Sequence, residues 1–455
     1  MQATDTIVAL STPPGRSGLG VIRISGISAL ALTRSLLQDV NFNPEPQRAS
    51  LKPLRDQDNG CILDHALVTY FKSPRSFTGE DIVELSCHGS PPLLLTIIDT
   101  LLYLGARVAD PGEFTMRAFT NGRLNLTQAE AIRDLIDAQT HAAVRQAARQ
   151  LGGELSARLQ PLKSSLLDVI VPLESSLEFV EDDLPPDIAE LVSQKLLKLA
   201  HTVKILADTF RKGRLLKEGL HVTFAGRPNV GKSSLFNMLL QSERAIVTDI
   251  PGTTRDTISE VIDIEGIPVL ITDTAGIRIS TDRIEQLGVE RTRRAIVDAD
   301  LIVVVLDGSL PLTVEDVEVV KDASKNLFIV ALNKNDLPAH EIEPIRELCN
   351  GVPICSVSAK TGAGLDPLCT AILEPFSAHA TFESNFIITN ARHYDLLRRT
   401  EIAILSSQSL LSQHASEDLV LVGLYDALRF LGDVTGETTP EDVLTKIFLT
   451  FCIGK

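Results

Sequence analysis

The sequence lacks paired cysteines, long apolar runs and a basic stripe, and each absence excludes a class of protein. No Cys-x-x-Cys pair occurs among its six cysteines, so neither a disulfide framework nor a zinc knuckle is expected. The first residues carry no basic region, and nowhere do about 18 apolar residues follow one another. We therefore expect a protein of the reducing cytoplasm that is neither secreted nor inserted in a membrane.

The charge is acidic and unevenly distributed. The formal net charge is −16, and acidic residues exceed basic ones mainly between residues 219 and 376. No cluster of Lys and Arg of the kind that marks nucleic-acid binding stands out. Hydrophobic residues make up 44% and charged residues 22%, which excludes wholesale disorder. At roughly 150 residues per domain, a length of 455 residues indicates about three domains.

Residues 1–118 predict an α+β domain. Apolar runs at 7–10 and 19–24 flank a Pro-Pro-Gly-Arg-Ser-Gly loop, which is the pattern of a strand, a loop and a strand. Segments 61–71 and 81–86 also have strand character. Segment 91–104, rich in Leu and Ile, predicts a helix.

Residues 119–218 predict an all-α domain. Thr127-Gln128-Ala129-Glu130 matches a capping box, so a long helix is expected to begin at Thr127. Pro185 and Pro186 end any helix that reaches them. A further helical stretch is expected from residue 188 to about residue 217.

Residues 219–376 predict a doubly wound α/β domain with a parallel sheet, because buried strands such as 221–225 and 301–306 alternate with helices. Helical sequence returns at 390–411 and 418–431. It returns again after Thr439-Pro440, where a cap residue precedes a proline in the first turn. The simplest topology inserts the α/β domain into one helical domain that comprises residues 119–218 and 377–455.

A phosphate-binding loop is the strongest motif. Gly226-Arg227-Pro228-Asn229-Val230-Gly231-Lys232-Ser233 matches G-x-x-x-x-G-K-[ST] between a predicted strand and the helical run 234–240. Backbone amides at the start of the helix would hold phosphate oxygens, Lys232 would reach the β- and γ-phosphates, and Ser233 would offer its hydroxyl to Mg²⁺. The alternative is a chance glycine turn.

Two switch segments follow in the order that a nucleotide switch requires. Thr253 and Thr254 lie in the Gly-Thr-Thr-Arg-Asp segment 252–256 and can place a hydroxyl on Mg²⁺. Asp273-Thr274-Ala275-Gly276 follows a predicted strand at 269–272. There the Asp would anchor Mg²⁺ indirectly and the Gly would sense the γ-phosphate.

Two further segments predict specificity for guanine. Asn333-Lys334-Asn335-Asp336 closes a predicted strand at 327–332, and the Asp336 carboxylate can accept two hydrogen bonds from guanine, a donor pair that adenine lacks. Ser358-Ala359-Lys360 would complete the base pocket. Each short motif alone also fits a solvated loop or a helix cap, but together with the P-loop they predict a Ras-like GTPase domain. The predicted GTP-binding residues are Asn229, Val230, Gly231, Lys232, Ser233, Ser234, Thr248, Asp249, Ile250, Pro251, Gly252, Thr253, Thr254, Asp273, Thr274, Ala275, Gly276, Asn333, Lys334, Asp336, Ser358, Ala359 and Lys360.

Ile277 stands where a Ras-type switch carries the glutamine that orients the attacking water. Because isoleucine cannot hydrogen-bond to water, hydrolysis must be slow or must use polar groups from elsewhere. An arginine at this step contributes about 10³–10⁵ in rate. A monovalent cation could replace it beside Asn229 and the oxygens of residues 248–253. The alternative is that Asn229 only caps the loop.

The chain resembles the MnmE (TrmE) family of tRNA-modification GTPases over its whole length. The motifs that carry this resemblance are the Pro-Pro-Gly-Arg-Ser-Gly opening, Ser76-Phe77-Thr78-Gly79-Glu80-Asp81, Cys87-His88-Gly89, Pro111-Gly112-Glu113-Phe114-Thr115, the nucleotide-binding motifs and the terminal Phe451-Cys452-Ile453-Gly454-Lys455. The resemblance implies a folate-binding, dimerising N-terminal domain, a helical domain that carries the inserted G domain, and potassium-assisted GTP hydrolysis as two G domains meet.

The resemblance also implies roles for particular residues. It suggests Asn229, Thr248, Ile250 and Thr253 around K⁺, Ser233 and Thr254 on Mg²⁺, and Glu285 orienting water. Glu285 otherwise fits an exposed helix acid. It further suggests that 5-formyltetrahydrofolate or 5,10-methylenetetrahydrofolate binds near Arg23, Glu80, Arg123 and Lys455. At position 123 a guanidinium replaces the lysine common in relatives. The alternative for Arg23 and Glu80 is a surface ion pair.

By the same resemblance, Cys452 lies near the modification site, where it either acts as a nucleophile or only packs. The other five cysteines are expected in cores. The implied partners are a second copy of the chain, tRNA, and the FAD- and NADH-using protein MnmG (GidA) in a heterotetramer, with no membrane. The implied product is an aminomethyl or carboxymethylaminomethyl group on C5 of the wobble uridine, position 34. A regulatory or ribosome-assembly GTPase, which shares the 252–256 segment, is the rival hypothesis.

Overall fold

The computed structural model describes residues 5–178, 186–242, 245–246, 258–273, 299–341, 343–349, 351–376 and 386–454. The contacts within the chain divide it into two compact units. The first comprises Met1–Arg133, Gln150–Leu167 and Leu424–Lys455, and the second comprises Asp134–Arg149 and Asp168–Gly423. The architecture is multidomain, with α+β, helical and α/β P-loop parts. The predicted boundaries at residues 118, 218 and 376 stay a prediction.

The first unit is built on a mixed sheet with strand order β3-β4-β5-β2-β1-β6. Its strands are β1 (Ile7–Leu10), β2 (Ser17–Ser25), β3 (Ala49–Arg55), β4 (Ile62–Phe71), β5 (Ile82–Gly89) and β6 (Arg107–Val108). Only β1 and β6 pair in parallel among these neighbours. The strands and the helix predicted between residues 6 and 104 are confirmed.

Helices α1 (Ala29–Leu37) and α2 (Pro91–Tyr103) pack against this sheet, and α3 (Glu113–Thr120) follows β6. Ile22 and Ile24 of β2 pack with Leu36 and Ile97 of the two helices in the buried core. Because side chains alternate along a strand, Arg23 projects from the opposite face. That face carries the N-terminal candidate site.

The capping box predicted at Thr127 is wrong by two residues. Helix α4 (Leu126–Asp137) begins after Asn125, whose side chain accepts a hydrogen bond from the Gln128 amide at 2.9 Å. The Gln128 side chain accepts in return from the Asn125 amide at 3.1 Å. Thr127 instead donates its hydroxyl to Asn125. Asn125 and Gln128 have the spacing of a capping box, and they form the reciprocal pair.

Aromatic side chains join α3 to the end of the chain in the first unit. Phe448 lies in the last turn of α15 (Glu441–Phe448), and its ring centroid is 6.1 Å from that of Phe119 and 5.4 Å from that of Phe451. Leu126 and Ala129 are buried in the same cluster. Pro440 occupies the N-cap position of α15, one residue before the predicted first-turn position.

The second unit contains a sheet with strand order β13-β12-β11-β7-β10-β9-β8. Its strands are β7 (Leu220–Ala225), β8 (Ala245–Ile246), β9 (Ile258–Ile264), β10 (Ile267–Asp273), β11 (Leu301–Asp307), β12 (Phe328–Asn333) and β13 (Ile354–Ser356). Helices α9 (Lys232–Ser242), α10 (Val314–Ala323), α11 (Glu343–Leu348) and α12 (Leu365–Leu373) belong to the same α/β part.

The prediction of a parallel sheet is wrong for one edge, because β9 runs antiparallel to both β10 and β8. The cause is the two-residue turn Glu265-Gly266, where both residues have positive φ, 52° and 89°. Such a turn joins only antiparallel strands. The five strands β7, β10, β11, β12 and β13 pair in parallel, and buried residues of β9 and of these strands lie in the core.

The second unit also includes α5 (His141–Leu151) up to Arg149, part of α6 (Glu154–Glu178), α7 (Pro186–Asp208), α8 (Phe210–Glu218), α13 (Ala391–Ser412) and the start of α14 (Glu417–Thr435). α7 packs along α13. The single stretch predicted from 188 to 217 is two helices that meet at Thr209. Within the described ranges, every helix is too short or too polar to span a membrane.

Helix α5 docks on the turn between β9 and β10. The Thr140 hydroxyl donates to the Gly266 carbonyl at 2.8 Å. A Cβ at position 266 would lie 2.9 Å from the Ala142 Cβ, so the close approach requires glycine. Ala142 is buried in the same cluster as the strands of the sheet. The described end of α5 is therefore part of the α/β core.

Candidate functional site

The P-loop lies between β7 and α9, as the motif predicts. Asn229 and Gly231 both have positive φ, 65° and 97°. A Cβ at Gly231 would lie 2.3 Å from the Asn333 side-chain nitrogen, so only glycine fits there. Positive φ at Asn229 and Gly231 is the backbone geometry that lets amides converge near the start of α9, where the helix dipole favours an anion.

Lys232 is the first residue of α9 and is 7% exposed. Its ammonium donates to the carbonyl oxygens of Gly226 at 2.6 Å and Arg227 at 2.9 Å. Ser233 and Ser234 follow in the first turn of the helix and are exposed. The loop thus holds a cation and two hydroxyl-bearing side chains beside its amides.

Asn333 connects the P-loop to the predicted base pocket. It ends β12, and 2% of its surface is exposed. Its amide nitrogen donates to the Val230 carbonyl at 2.8 Å, and its amide oxygen accepts from the Ala359 backbone at 2.9 Å. A buried side chain that satisfies one donor and one acceptor in this way fixes the distance between the two loops.

Asp336 is exposed and faces Ser358. The Ser358 hydroxyl donates to the Asp336 carboxylate at 2.7 Å, and this hydrogen bond lowers the pKa of Asp336 below its usual value. The carboxylate is therefore ionised at neutral pH. An ionised, oriented carboxylate is the acceptor that the paired N–H groups of guanine require.

Lys334 stands beside the base pocket with a φ of 67°. Its ammonium lies 2.6 Å from the buried carboxylate of Asp307, at the end of β11. Burial alone would raise the pKa of Asp307, but hydrogen bonds from Lys334 and Ser309 lower it overall. Asp307 thus holds the lysine of the Asn-Lys-Asn-Asp segment in place.

The residue that anchors the P-loop arginine was not predicted from the sequence. The Arg227 guanidinium lies 3.1 Å from the carboxylate of Asp316, whose side chain is 3% exposed. Asp316 also forms a capping box with Thr313 at the start of α10. The Thr-x-x-Asp spacing gave a local signal for the cap, but nothing in the sequence indicated the partner 89 residues away.

The three described residues of the predicted folate site lie around one face of the N-terminal sheet. Arg23 and Ser25 are two residues apart on β2, and the Ser25 hydroxyl donates to Glu80 at 2.8 Å. Arg123 is exposed, and its side chain lies against Gly79, next to Glu80.

The alternative of a surface ion pair between Arg23 and Glu80 is wrong. Arg23 pairs with Glu84, its cross-strand neighbour, at 2.7 Å, and Glu80 accepts from Arg117 at 3.2 Å. The Arg23 guanidinium also lies 5.7 Å from the ring centroids of Phe77 and of Phe114, within the range of cation–π attraction. Register between β2 and β5 decides the pairing.

A charged network beneath this face was also missed. Glu113 has no exposed side-chain surface, and it accepts hydrogen bonds from Arg107 at 2.7 Å and Arg117 at 2.8 Å. Burial would raise the pKa of Glu113, but these bonds and the Asp110 amide lower it. Asp5 accepts from both arginines.

The C-terminal tail reaches the same face. The Gly454 carbonyl accepts from the Ser11 hydroxyl at 3.1 Å and from Arg23 at 3.4 Å. Cys452 is exposed, and its carbonyl accepts from the Gly112 amide at 3.3 Å. The tail is thus tied to the N-terminal sheet immediately before Lys455, which lies outside the described residues.

The expectation that the other five cysteines are core residues is wrong for Cys61, whereas Cys355 packs against the core of the second unit. Cys61 is exposed and Cys355 is half-buried, whereas the remaining three are buried. Burial raises the pKa of Cys87 to about 12. Cys87 is therefore protonated and unreactive near neutral pH.

The chain is similar to known proteins over its full length. Models of the MnmE helical domain and of the TrmE N-terminus match residues 126–452 and 6–123. Proteins named tRNA modification GTPase MnmE from Koribacter versatilis and Aquifex aeolicus are 44% and 42% identical, over 100% and 99% of this chain and 100% of each relative. The chain belongs to the MnmE family.

A solved structure of Era from Aquifex aeolicus bound to GDP and AlF4⁻ is 26% identical, over 41% of this chain and 67% of that chain. Its TM-score of 0.30 is too low to support an inference about this member of the MnmE family.

Of the predicted nucleotide-site residues, the structure brings together the P-loop, the Asn333–Asp336 segment and the Ser358–Lys360 segment. Asp273 ends β10 in register with Phe224, the residue before the last of β7. The remaining predictions for this MnmE family member lie outside the described residues. They concern Thr248, Asp249, Ile250, Pro251, Gly252, Thr253, Thr254, Thr274, Ala275, Gly276 and Glu285.

Proposed function

We propose that this chain hydrolyses GTP with Mg²⁺ and K⁺, and that hydrolysis serves the addition of an aminomethyl or carboxymethylaminomethyl group to C5 of the wobble uridine in tRNA. Its membership of the MnmE family makes it a GTP-hydrolysing enzyme of tRNA modification. The observation that carries the proposal is the Asn333 side chain, which links the P-loop to the loop that faces Asp336.

The phosphate site acts through Lys232 and the P-loop amides. When GTP binds, the Lys232 ammonium exchanges the carbonyls of Gly226 and Arg227 for phosphate oxygens, and the amides at the start of α9 donate to the same group. Asp336, held by Ser358, accepts from guanine. Asp316 anchors the loop through Arg227.

Bound Mg²⁺ and K⁺ supply positive charge where negative charge develops on the phosphates. Ser233 and Thr254 are the proposed Mg²⁺ residues, with Asp273 acting indirectly. Asn229, Thr248, Ile250 and Thr253 are the proposed K⁺ residues, and Glu285 orients the attacking water. This arrangement compensates for Ile277, which cannot hydrogen-bond to water.

The N-terminal face is the proposed folate site. A bound 5-formyltetrahydrofolate or 5,10-methylenetetrahydrofolate supplies the one-carbon unit. Arg23, Glu80 and Arg123 surround the face, and Lys455 follows Gly454, whose carbonyl accepts from Arg23. Ser25 and Arg117 fix the Glu80 carboxylate, so it can accept hydrogen bonds from a pterin without a change of rotamer. Cys452 is proposed to act close by.

The proposed assembly is a homodimer that joins MnmG (GidA) in a cytoplasmic heterotetramer and acts on tRNA. Exposed leucines on the N-terminal sheet support the homodimer. Leu51 and Leu67 are cross-strand neighbours, 63% and 45% exposed, and Leu19 of β2 is 61% exposed. Grouped apolar side chains of this kind mark interaction surfaces.

Potassium dependence tests the hydrolytic mechanism. We expect GTP hydrolysis by the full chain to be at least tenfold faster in KCl than in NaCl at equal ionic strength. The matched variant is Asn229→Gly, because glycine keeps the positive φ and removes the oxygen ligand. It should bind GTP normally and lose the difference between the salts. Equal rates in the two salts for the unaltered chain would remove K⁺ from the mechanism.

A deletion strain tests the role in tRNA. Mass spectrometry of its tRNA should show wobble uridine without the aminomethyl-type group at C5, and reintroduction of the gene should restore it. If the group persists in the deletion strain, the modification hypothesis is refuted, and the rival hypothesis of a regulatory or ribosome-assembly GTPase is favoured.

A further inference from the structure

A cleft of about 1050 Å³ in the second unit lies outside the nucleotide and folate sites. It is bordered by α8, by the start of α13 and by Pro375-Phe376, which follow α12. Its lining includes the cations Arg211, Lys212 and Arg214 and the aromatic residues Phe210, Phe376 and Tyr394. The volume slightly exceeds the roughly 300–1,000 Å³ of small-molecule pockets, so the cleft has room for an extended ligand.

The cleft is basic in a chain that is acidic. Arg211 and Arg214 are exposed and Lys212 is half-buried. Within the described part of the chain, Arg211 and Lys212 form no salt bridge, and Asp208 is the one acid in the lining. Arg214 lies 3.4 Å from Glu218, and both side chains are more than half exposed, so water screens that pair. These cations remain available to an anionic ligand.

Aromatic rings stand next to these cations. The rings of Phe210 and Tyr394 stack with centroids 4.7 Å apart and planes 16° apart, and Phe376 is half-buried at the edge of the cleft. A free phosphate would need only the cations. Cations that follow a backbone beside aromatic faces that stack bases are the combination that binds single-stranded nucleic acid.

The cleft is preformed. The Thr209 hydroxyl, at the start of α8, accepts a hydrogen bond from the Ile388 amide at 3.0 Å, and Ile388 precedes α13 by three residues. This bond and the Phe210–Tyr394 stack hold the helix that carries the cations against the helix that carries Tyr394. A rigid platform lowers the entropy lost on binding.

We propose that this cleft binds an unpaired segment of RNA, with Arg211, Lys212 and Arg214 on phosphates and a base stacked beside Tyr394. The identity of the RNA as tRNA rests on the proposed function. The net charge of whole segments conceals this basic site. Three cations within the first five residues of α8 form the site only when the fold brings Tyr394, some 180 residues later, beside Phe210.

The test measures binding of a fluorescently labelled tRNA transcript to the full chain as a function of KCl concentration. The double variant Arg211→Ala/Lys212→Ala should bind roughly tenfold more weakly at low salt. The slope of log K against log[salt] should fall by between about 1 and 2. The matched control, Lys325→Ala/Arg346→Ala, removes two exposed cations elsewhere in the same unit and should bind as the unaltered chain does.

A second pair of variants tests stacking. Tyr394→Ala should weaken binding about tenfold without a change in salt slope, and Tyr394→Phe should retain binding because it keeps the ring. Loss of binding in the cation variant with full binding in Tyr394→Ala would mark a simple anion site and overturn the assignment to unpaired RNA. Equal affinity and slope in the cation variant and its control would overturn the site altogether.

GTP hydrolysis measured on the same preparations separates this proposal from the proposed function. The cation variants should hydrolyse GTP at the unaltered rate, since none of these residues contacts the P-loop in the described structure. If the unaltered chain and both double variants bind tRNA equally well, only the proposal for the cleft is refuted. A chain that neither hydrolyses GTP nor binds tRNA refutes the proposed function itself.

Discussion

Replacing Glu113 with glutamine should release the charged network under the N-terminal face. Glu113 is fully buried and accepts five hydrogen bonds, from Arg107, Arg117 and the Asp110 amide. Glutamine keeps the shape and one oxygen acceptor but removes the charge that two guanidinium groups share. It also turns a donor toward them.

The expected loss follows from the burial. Removing one partner of a buried ion pair costs about 3–5 kcal/mol because the other charge is left uncompensated. Arg107 is 41% exposed and Arg117 is 11% exposed, so water compensates part of the loss at Arg107. We therefore expect about 3 kcal/mol for Glu113→Gln, which corresponds to roughly a hundredfold change in the opening equilibrium of this sheet.

Hydrogen exchange on the full chain provides the assay. The slowest amides of β1 and β2 should exchange roughly a hundredfold faster in Glu113→Gln than in the unaltered chain. The matched control is Glu45→Gln, which breaks the exposed pair with Arg48 and should change exchange by less than about fivefold. If Glu113→Gln exchanges no faster than Glu45→Gln, the network does not stabilise the sheet.

The same variant predicts a pH dependence with a definite sign. Because the folded-state pKa of Glu113 is lowered, its contribution to stability is present above the unfolded pKa of about 4.3 and is lost as the pH falls through the folded value. The difference in exchange between the two chains should therefore be largest near neutral pH and shrink below about pH 4. A constant difference down to pH 3 would contradict the assignment of the effect to the carboxylate.

Three further predictions concern the nucleotide site and the thiols. Gly231→Ala should weaken binding of a fluorescent GTP analogue at least tenfold, because the added Cβ would lie 2.3 Å from the Asn333 side-chain nitrogen and displace that side chain. Unchanged affinity would refute the role of Asn333 in joining the two loops. Asp336→Asn should shift preference from GTP toward xanthosine triphosphate in hydrolysis assays, and retained GTP preference would refute the base pocket. Cys452 should react with a thiol reagent in the folded chain and Cys87 should not; rapid labelling of Cys87 would contradict its burial.

The phosphate-binding part of the site was predictable because the G-x-x-x-x-G-K-S pattern fixes a local turn. The backbone of the loop and the start of α9 agree with it residue by residue. The partners of the site were not predictable in the same way. Asp316 holds Arg227 across 89 residues, and no local pattern encodes that distance.

Register explains the error at Arg23. The residue types suggested Glu80 as a partner, but a strand presents a side chain to whichever residue lies opposite, and β5 presents Glu84. The capping box at α4 failed for a related reason. Two overlapping segments met the same pattern, and the hydrogen bond from Asn125 to Ser156 favours the earlier one.

The docking of α5 on the Glu265-Gly266 turn has a practical consequence for truncated proteins. A fragment cut at residues 219 and 376 would remove the Thr140 hydroxyl and Ala142, and would leave part of the apolar core in contact with water. In the sequence, the hairpin that carries this turn lies between the two predicted switch segments. GTP hydrolysis rates measured on such a fragment would therefore be those of a domain whose β9–β10 hairpin has lost its contacts with α5. A fragment that begins before residue 134 and continues to residue 423 would keep these contacts and suits kinetic measurements better.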